Sequence, residues 1–468
     1  MTLHPLMAIS SVDGRYHRRT KELGEYLSEF GLIKYRIFVM IEYLFALSRH
    51  QNVPLRMFTE AECSQLRDLQ AVTLADAQII KDIETKGYGG FAATNHDVKA
   101  CEFYLRLRFA GTSLEEVTEW IHFGSTSEDV NNAAYALMLR GALHKILLPK
   151  LYEINDRLFY VAKEEAWLAM LARTHGQSAT PTTLGKEFRN FAERLHRQID
   201  FLRSYRILVK FNSASGNYNA LVFALPDVPW ISFSQNFVQG HLNQDPRVPP
   251  FEVNLYTTQI EPHDTYAELF GGIIRANVIL FAVCQDIWRY VSDDWLVQKV
   301  VQGEVGSSIM PHKVNPIDFE NAEGNLGFAN ALLRFFGEKL PISRLQRDLS
   351  DSTVERGFGS AFGLSLVAYH SVMNGLGKIS ANKTVITEAL NAHPEVLTDA
   401  YQTLMRRYGV KDPYALLKDL SRGQRITLED LHAFVRGLNL PEEAKQKMLQ
   451  LTPRAYTGLA PQLAGGEF

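Results

Sequence analysis

No proline occurs between Pro262 and Pro311, and from Tyr266 to about Val301 apolar side chains recur at helical spacing. A helix over that interval would extend roughly 50 Å at about 1.5 Å per residue. Helices that long and that apolar belong in bundle cores, often cores shared between subunits. The same periodicity precedes it. Phe188, Phe191, Leu195, Ile199 and Leu202 share one helical face, as do Leu151, Ile154, Leu158 and Val161. The stretches Ile317–Leu340 and Thr353–Ile379 supply two further long candidates. The expected architecture is mainly α, in three helical domains. Residues 1–115 mix helices with polar loops, 116–362 form a central long-helix bundle, and 363–468 form a smaller helical domain. Turn signals punctuate the last at Asn391–Pro394, Asp412–Pro413 and Leu440–Pro441.

A chain of 468 residues buries enough surface to need no disulfide or metal staple. Its 49 basic and 52 acidic side chains give a net charge of −3, so bulk electrostatics points to neither a nucleic-acid nor a membrane partner. Cys63, Cys101 and Cys284 are scattered, without metal-ligand spacing, which argues for a reducing compartment and against a disulfide framework or a zinc site. The opening MTLHPLMAISSVDGRY lacks the basic and apolar regions of a signal peptide. The longest apolar run, Ala276–Cys284 with Asn277 inside it, is far short of the roughly 20 residues that cross a bilayer. A soluble cytoplasmic protein is expected.

Four polar islands interrupt the helices. The segment Gly303–Pro316 holds two glycines and two prolines, so it cannot be helical throughout. Within it lie the paired hydroxyls Ser307 and Ser308, the cation Lys313 and the amide Asn315, and its glycines would let a loop close over a ligand. In the second island, Ala172–Pro181, His175 stands between Thr174 and Gly176 ahead of a proline and is placed at a helix end. Histidine suits proton transfer near neutral pH. The third joins Thr94–Asp97 to His122–Asp129. It reads as a helix start with Ser125 or Thr126 as cap and Glu128 and Asp129 in the first turn, or as an anion-binding site, and the two readings are compatible. The fourth set is Val12–Tyr16, Gln259 within YTTQIEPHD, and Arg344–Arg356, whose arginines suit bidentate phosphate or carboxylate recognition.

The string GSSIMPHKVNP resembles the GSSxMPxKxN signature of the fumarase/aspartase superfamily of lyases. Together VDGRY, TNHDVKA, IHFGSTSEDVNN, RTHGQ, SGNYNA, YTTQIEPHD, KVNPIDFENAEGNLG and LQRDLSDST run in order and resemble the adenylosuccinate lyase family, from about residue 8 to past residue 450. The resemblance implies a C–N lyase that releases fumarate from adenylosuccinate, and from the succinyl-carboxamide ribonucleotide of purine synthesis, by anti β-elimination. It implies Ser307 as base and His175 as acid. Lys313 and Asn315, with Val314 between them, would bind substrate carboxylate. Arg15 and Tyr16 would hold the phosphate or its neighbourhood. Asn95, His96, Asp97, Thr126 and Ser127 would contact the succinyl group, and Gln259 the adjoining pocket. Asn321, Arg347 and the run Ser352, Thr353, Val354, Glu355 and Arg356 would complete the nucleotide site. It further implies a homotetramer with shared active sites, no cofactor and no metal. The alternatives are a sibling lyase acting on argininosuccinate, aspartate or malate, which would share Ser307 and Lys313, and an inactive scaffold. Two segments depart from the family pattern: the Gly-rich 86–93 and the Pro-rich 241–253.

Overall fold

The computed structural model describes residues 5–299, 310, 313–421 and 426–466. They form a mainly α protein with short strands only. The chain divides into two compact units, Met1–Tyr152, Arg197–Val278 and Gly324–His370 in the first, and Glu153–His196, Ile279–Glu323 and Ser371–Phe468 in the second. The elements that carry the argument are α1 (Glu29–Arg49), α2 (Asp97–Phe109), α3 (Ser127–Ala142), α4 (Leu148–Glu164), β1 (Ala169–Thr174), β2 (Gln177–Thr183), α5 (Leu184–Ser204), α6 (Asp264–Ser292), α7 (Ile317–Lys339), α8 (Ser350–Glu355) and α9 (Phe358–Lys378).

In the first unit, α1 starts where Ser28 Oγ accepts the Gly31 N–H at 3.1 Å, and the helix then buries every residue from Val39 to Ser48. Its neighbour α3 is buried almost all round, as a helix at the centre of a bundle must be. Portions of α6, α7 and α9 in this unit meet at a buried amide. Asn277 donates to Asn330 Oδ1 at 3.0 Å and to Ser365 Oγ at 3.2 Å, and accepts from the Tyr369 hydroxyl at 2.6 Å. A satisfied polar set inside an apolar core fixes the rotation of three helices at once, because each unpaired group would cost about 1–3 kcal/mol. Around it Phe270, Phe336 and Phe358 pack edge to face at 5.2–5.9 Å between ring centroids.

In the second unit, β1 and β2 form an antiparallel hairpin, Leu296–Gln298 pairs with Ile379–Ala381, and Leu397, Tyr401, Met405, Leu431, Val435 and Met448 build a core near the C-terminal end. The long helices appear where the periodicity places them, with two corrections. α6 ends at Ser292 rather than near Val301: Asp294 takes φ 56° and a strand opens at Leu296. At roughly 1.5 Å per residue the helix is about 43 Å long. By length and apolarity alone it would cross a membrane, but Leu269, Phe270, Ile273, Ala276, Leu280, Val283 and Ile287 are buried in protein. The interval Thr353–Ile379 is two helices, α8 and α9, broken at Arg356–Gly357.

Candidate active site

The first unit gathers most of the expected binding residues. Arg15 is exposed and Tyr16 precedes a short helical turn, its N–H bonded to Ser11 O at 2.9 Å. Asn95 is held at φ 47°, a conformation that costs an L residue roughly 1–2 kcal/mol. His96 caps α2, its Nδ1 accepting the Lys99 N–H at 3.3 Å while Nε2 lies 3.4 Å from Ser127 Oγ. Thr126 caps α3 with Asp129 in the first turn, as the sequence implies, and the Asp129 carboxylate accepts the Thr126 N–H at 2.8 Å. The Gly-rich segment before Asn95 is a tight turn, Tyr88 bridged to Phe91 across Gly89 and Gly90, both at positive φ.

Asp97 Oδ2 accepts from two guanidiniums, Arg36 at 2.7 Å and Arg356 at 3.0 Å. Burial alone would raise this carboxyl, but Arg36 and then Arg356 hold it below its ordinary value. Arg347 Nη2 pairs with Glu128 Oε1 at 2.8 Å, and its Nη1 reaches Gln259 Oε1 at 3.3 Å. Burial and the charge of Glu355 push Glu128 upward, against the pull of Arg347. In α8, Ser352 accepts from Arg356 through both Oγ, at 2.7 Å, and its carbonyl, at 3.0 Å. Thr353 is exposed, Val354 half-buried and Glu355 buried. Through Arg36, Asn131 and Glu128 the structure links Asp97, Gln259, Arg347, Ser352 and Arg356 by polar contacts, whereas Glu355 faces His263 at 3.5 Å.

The second unit holds the rest. His175 does not sit at a helix end. It forms the exposed tip of the β1–β2 hairpin with Gly176, at φ 53° and 74°. Positive φ at both central residues is what a two-residue hairpin turn with the right-handed strand twist demands. Lys313 and Val314 are exposed, and Asn315 is half-buried just before α7. Val314 O accepts from Gln298 Nε2 at 2.8 Å, and within α7 Asn321 Oδ1 accepts from Ser371 Oγ at 2.8 Å. Ser307 and Ser308 lie outside the described residues. Among the described residues no cluster of His, Cys, Asp and Glu has the makings of a metal site.

The lyase family model matches residues 14–329, and the adenylosuccinate lyase C-terminal model matches 343–457. Adenylosuccinate lyase from Legionella pneumophila (strain Corby) is 47% identical over 466 residues, 99% of each chain. Those of Vibrio cholerae and Escherichia coli K12 are 44% and 43% identical, over 99% and 98% of each chain. The chain belongs to the adenylosuccinate lyase family. The fumarate lyase of Mesorhizobium sp. BNC1 shares its fold, with a TM-score of 0.72 at 16% identity over 96% of this chain and 97% of that one. The 3-carboxy-cis,cis-muconate lactonizing enzyme of Pseudomonas putida does so at 0.65 and 20%, over 92% and 93%.

Several residues in this member of the adenylosuccinate lyase family escaped the sequence reading as parts of the site. Lys210, fully buried, pairs with Asp129 at 3.0 Å and donates to the carbonyls of Ser213 and Gln259 at 2.9 and 2.8 Å. Asp129 also accepts the N–H groups of Asn212 and Ser213, so one ion pair ties the α3 start to the segments at 212–213 and 259. His263, buried at φ 63°, lies 3.5 Å from Glu355. Burial would lower its protonation, but Glu355 and then Glu261 and Asp351 outweigh that and push it up to about 9. A signal for Lys210 is absent from its own neighbourhood. For Arg36 there is one, a charge on the apolar stripe Leu32, Ile33, Ile37 and Met40.

Proposed function

We propose that this enzyme cleaves adenylosuccinate to AMP and fumarate, and the succinyl-carboxamide ribonucleotide of purine synthesis in the same way. In the anti β-elimination, Ser307 takes the proton from the succinyl β-carbon. The electron pair delocalises into the adjacent carboxylate, where Lys313 and Asn315 stabilise the charge. The C–N bond then breaks and His175 protonates the departing nitrogen. Arg15 and Tyr16, with Asn321, Arg347 and Ser352–Arg356, hold the nucleotide and its phosphate, Gln259 contacts the adjoining pocket, and Asn95–Asp97 with Thr126 and Ser127 hold the succinyl group. No cofactor enters this scheme.

The observation that carries the reading is the polar set around Asp97, Arg347 and Arg356. Residues from four separate motifs, far apart in sequence, converge there on two arginines suited to anions. The exposed hairpin tip of His175 supports a site completed by a second subunit, in a homotetramer with shared sites, and long apolar helices suit such an assembly. The three-part division at residues 115 and 362 and a cytoplasmic location belong to the same reading.

The deciding experiment follows the ultraviolet absorbance of purified protein with adenylosuccinate, identifying AMP and fumarate by chromatography. Both products are expected. Turnover of argininosuccinate or malate instead would overturn the nucleotide assignment, and no turnover of any of them would favour an inactive scaffold.

A further inference from the structure

The two arginines that the proposed function gives to the nucleotide, Arg347 and Arg356, are the ends of one polar chain, and the buried Arg36 stands in its middle. α1 carries Arg36 fully into the core, with 1% of its side chain exposed. Its Nη2 donates to Asp97 Oδ2 at 2.7 Å, the same oxygen that receives Arg356 Nη2 at 3.0 Å. Its Nε donates to Asn131 Oδ1 at 2.9 Å. Asn131 Nδ2 in turn donates to Glu128 Oε1 at 2.7 Å, again the same oxygen that receives Arg347, at 2.8 Å. Each outer arginine therefore shares its carboxylate oxygen with a donor that Arg36 supplies or orients.

We infer that Arg36 is a positioning residue for nucleotide binding, acting through Asp97 on Arg356 and through Asn131 and Glu128 on Arg347. Two physical effects follow from its place. Arg356 also faces Glu29 at 3.9 Å, so Arg36 brings the cluster of Arg36, Asp97, Arg356 and Glu29 to neutrality. Without Arg36 the two carboxylates outnumber Arg356 and the cluster repels an anion. The fork of Arg36 also fixes an angle between Asp97 and Asn131 that a single ammonium cannot reproduce, because lysine places its three donors on one atom. Arg36 is too deeply buried to touch a nucleotide, so its effect passes through partners that hold the ligand before and during the reaction alike. Loss of such uniform binding raises KM and leaves kcat nearly unchanged.

The inference rests on the proposed function, and its test separates the two. Arg36→Lys and Asn131→Ser are compared with the wild type for KM and kcat on adenylosuccinate, for AMP affinity by calorimetry, and for thermal stability. Arg36→Lys is expected to raise KM and the AMP Kd roughly tenfold with kcat within about threefold. Asn131→Ser, which cuts only the limb to Glu128, is expected to raise both roughly threefold. A purely structural Arg36 would lower Tm and leave KM and AMP affinity unchanged in both variants, and that result overturns the inference. If Arg36→Lys does not fold, unchanged KM and AMP affinity in Asn131→Ser overturn it alone. AMP binding needs no turnover, so a wild type that binds AMP but leaves adenylosuccinate intact overturns only the functional reading.

Discussion

The polar set around Asp97 and the hairpin tip at His175 are built on opposite principles. At Asp97, Arg36 is buried, two carboxylate oxygens each serve two donors, and every contact is made within one unit of one chain. At His175 the side chain is exposed, has no hydrogen-bond partner among the described residues, and is held only by the backbone of a two-residue turn. The first arrangement is preorganised, with the cost of orienting charges already met during folding. The second leaves the imidazole free to find its partner when the site is complete. In the proposed function, ground-state recognition falls to the first and the chemical step to the second.

The sharpest way to break that contrast is to remove the proposed base and acid. Ser307→Ala and His175→Ala should each lower kcat at least about 10²–10⁴-fold, the usual contribution of a positioned acid or base. For His175→Ala, Tm should stay unchanged, because the exposed His175 side chain makes no hydrogen bond among the described residues. Steady-state rates with scanning calorimetry check both, and full activity in either variant removes that residue from its role.

The ion pair between Lys210 and Asp129 tests the rigid side. Both side chains are fully buried, so Lys210→Met leaves a carboxylate without its cation, at a cost of about 3–5 kcal/mol. Urea unfolding should show the unfolding free energy falling by that amount, and a loss below about 1 kcal/mol would mean that the N–H donors of Thr126, Asn212 and Ser213 suffice for Asp129. His263 gives a smaller effect that pH controls. Its folded pKa is raised to about 9 by Glu355, Glu261 and Asp351 against burial, so it stabilises the protein fully below its ordinary value of 6.5. That stability, roughly 3 kcal/mol at most, is lost as pH rises through about 9. Tm measured from pH 6 to 10 should fall in the wild type more steeply than in His263→Gln; parallel curves would show that His263 is not charged in the fold.

The long helices were legible because burial imposes a 3.6-residue period on apolar side chains whatever their partners. Phe188 through Leu202 therefore read correctly from spacing alone. Their ends were less legible. The stop at Ser292 depends on Asp294 adopting a left-handed backbone, for which neither glycine nor proline gave notice. The Thr126 start of α3 was readable, since a cap and an acid three residues on are a local device. The apolar stripe around Arg36 signals its burial but not its purpose, and Lys210 has no local signal at all, because their partners lie 61 and 81 residues away in sequence. The misplaced His175 is the clearest case. Thr174-His175-Gly176-Gln177 looked like a helix terminus because glycine ends helices, but glycine also satisfies the second position of a hairpin turn, and strand pairing on both sides decided between them.

That turn supplies the mildest test. Gly176 has φ 74°, and a Cβ built there meets nothing within 4 Å, so Gly176→Ala adds backbone strain without a clash. The left-handed conformation costs an alanine roughly 1–2 kcal/mol, partly offset because glycine loses more freedom on folding. A fall in stability of about 1 kcal/mol is expected by urea titration. Because the same turn orients His175, the small stability loss should accompany a larger fall in kcat than in KM. Equal loss of stability with unchanged kcat would show that the imidazole finds its place without help from the hairpin, and the contrast between a prebuilt binding side and a freely presented acid would then be complete.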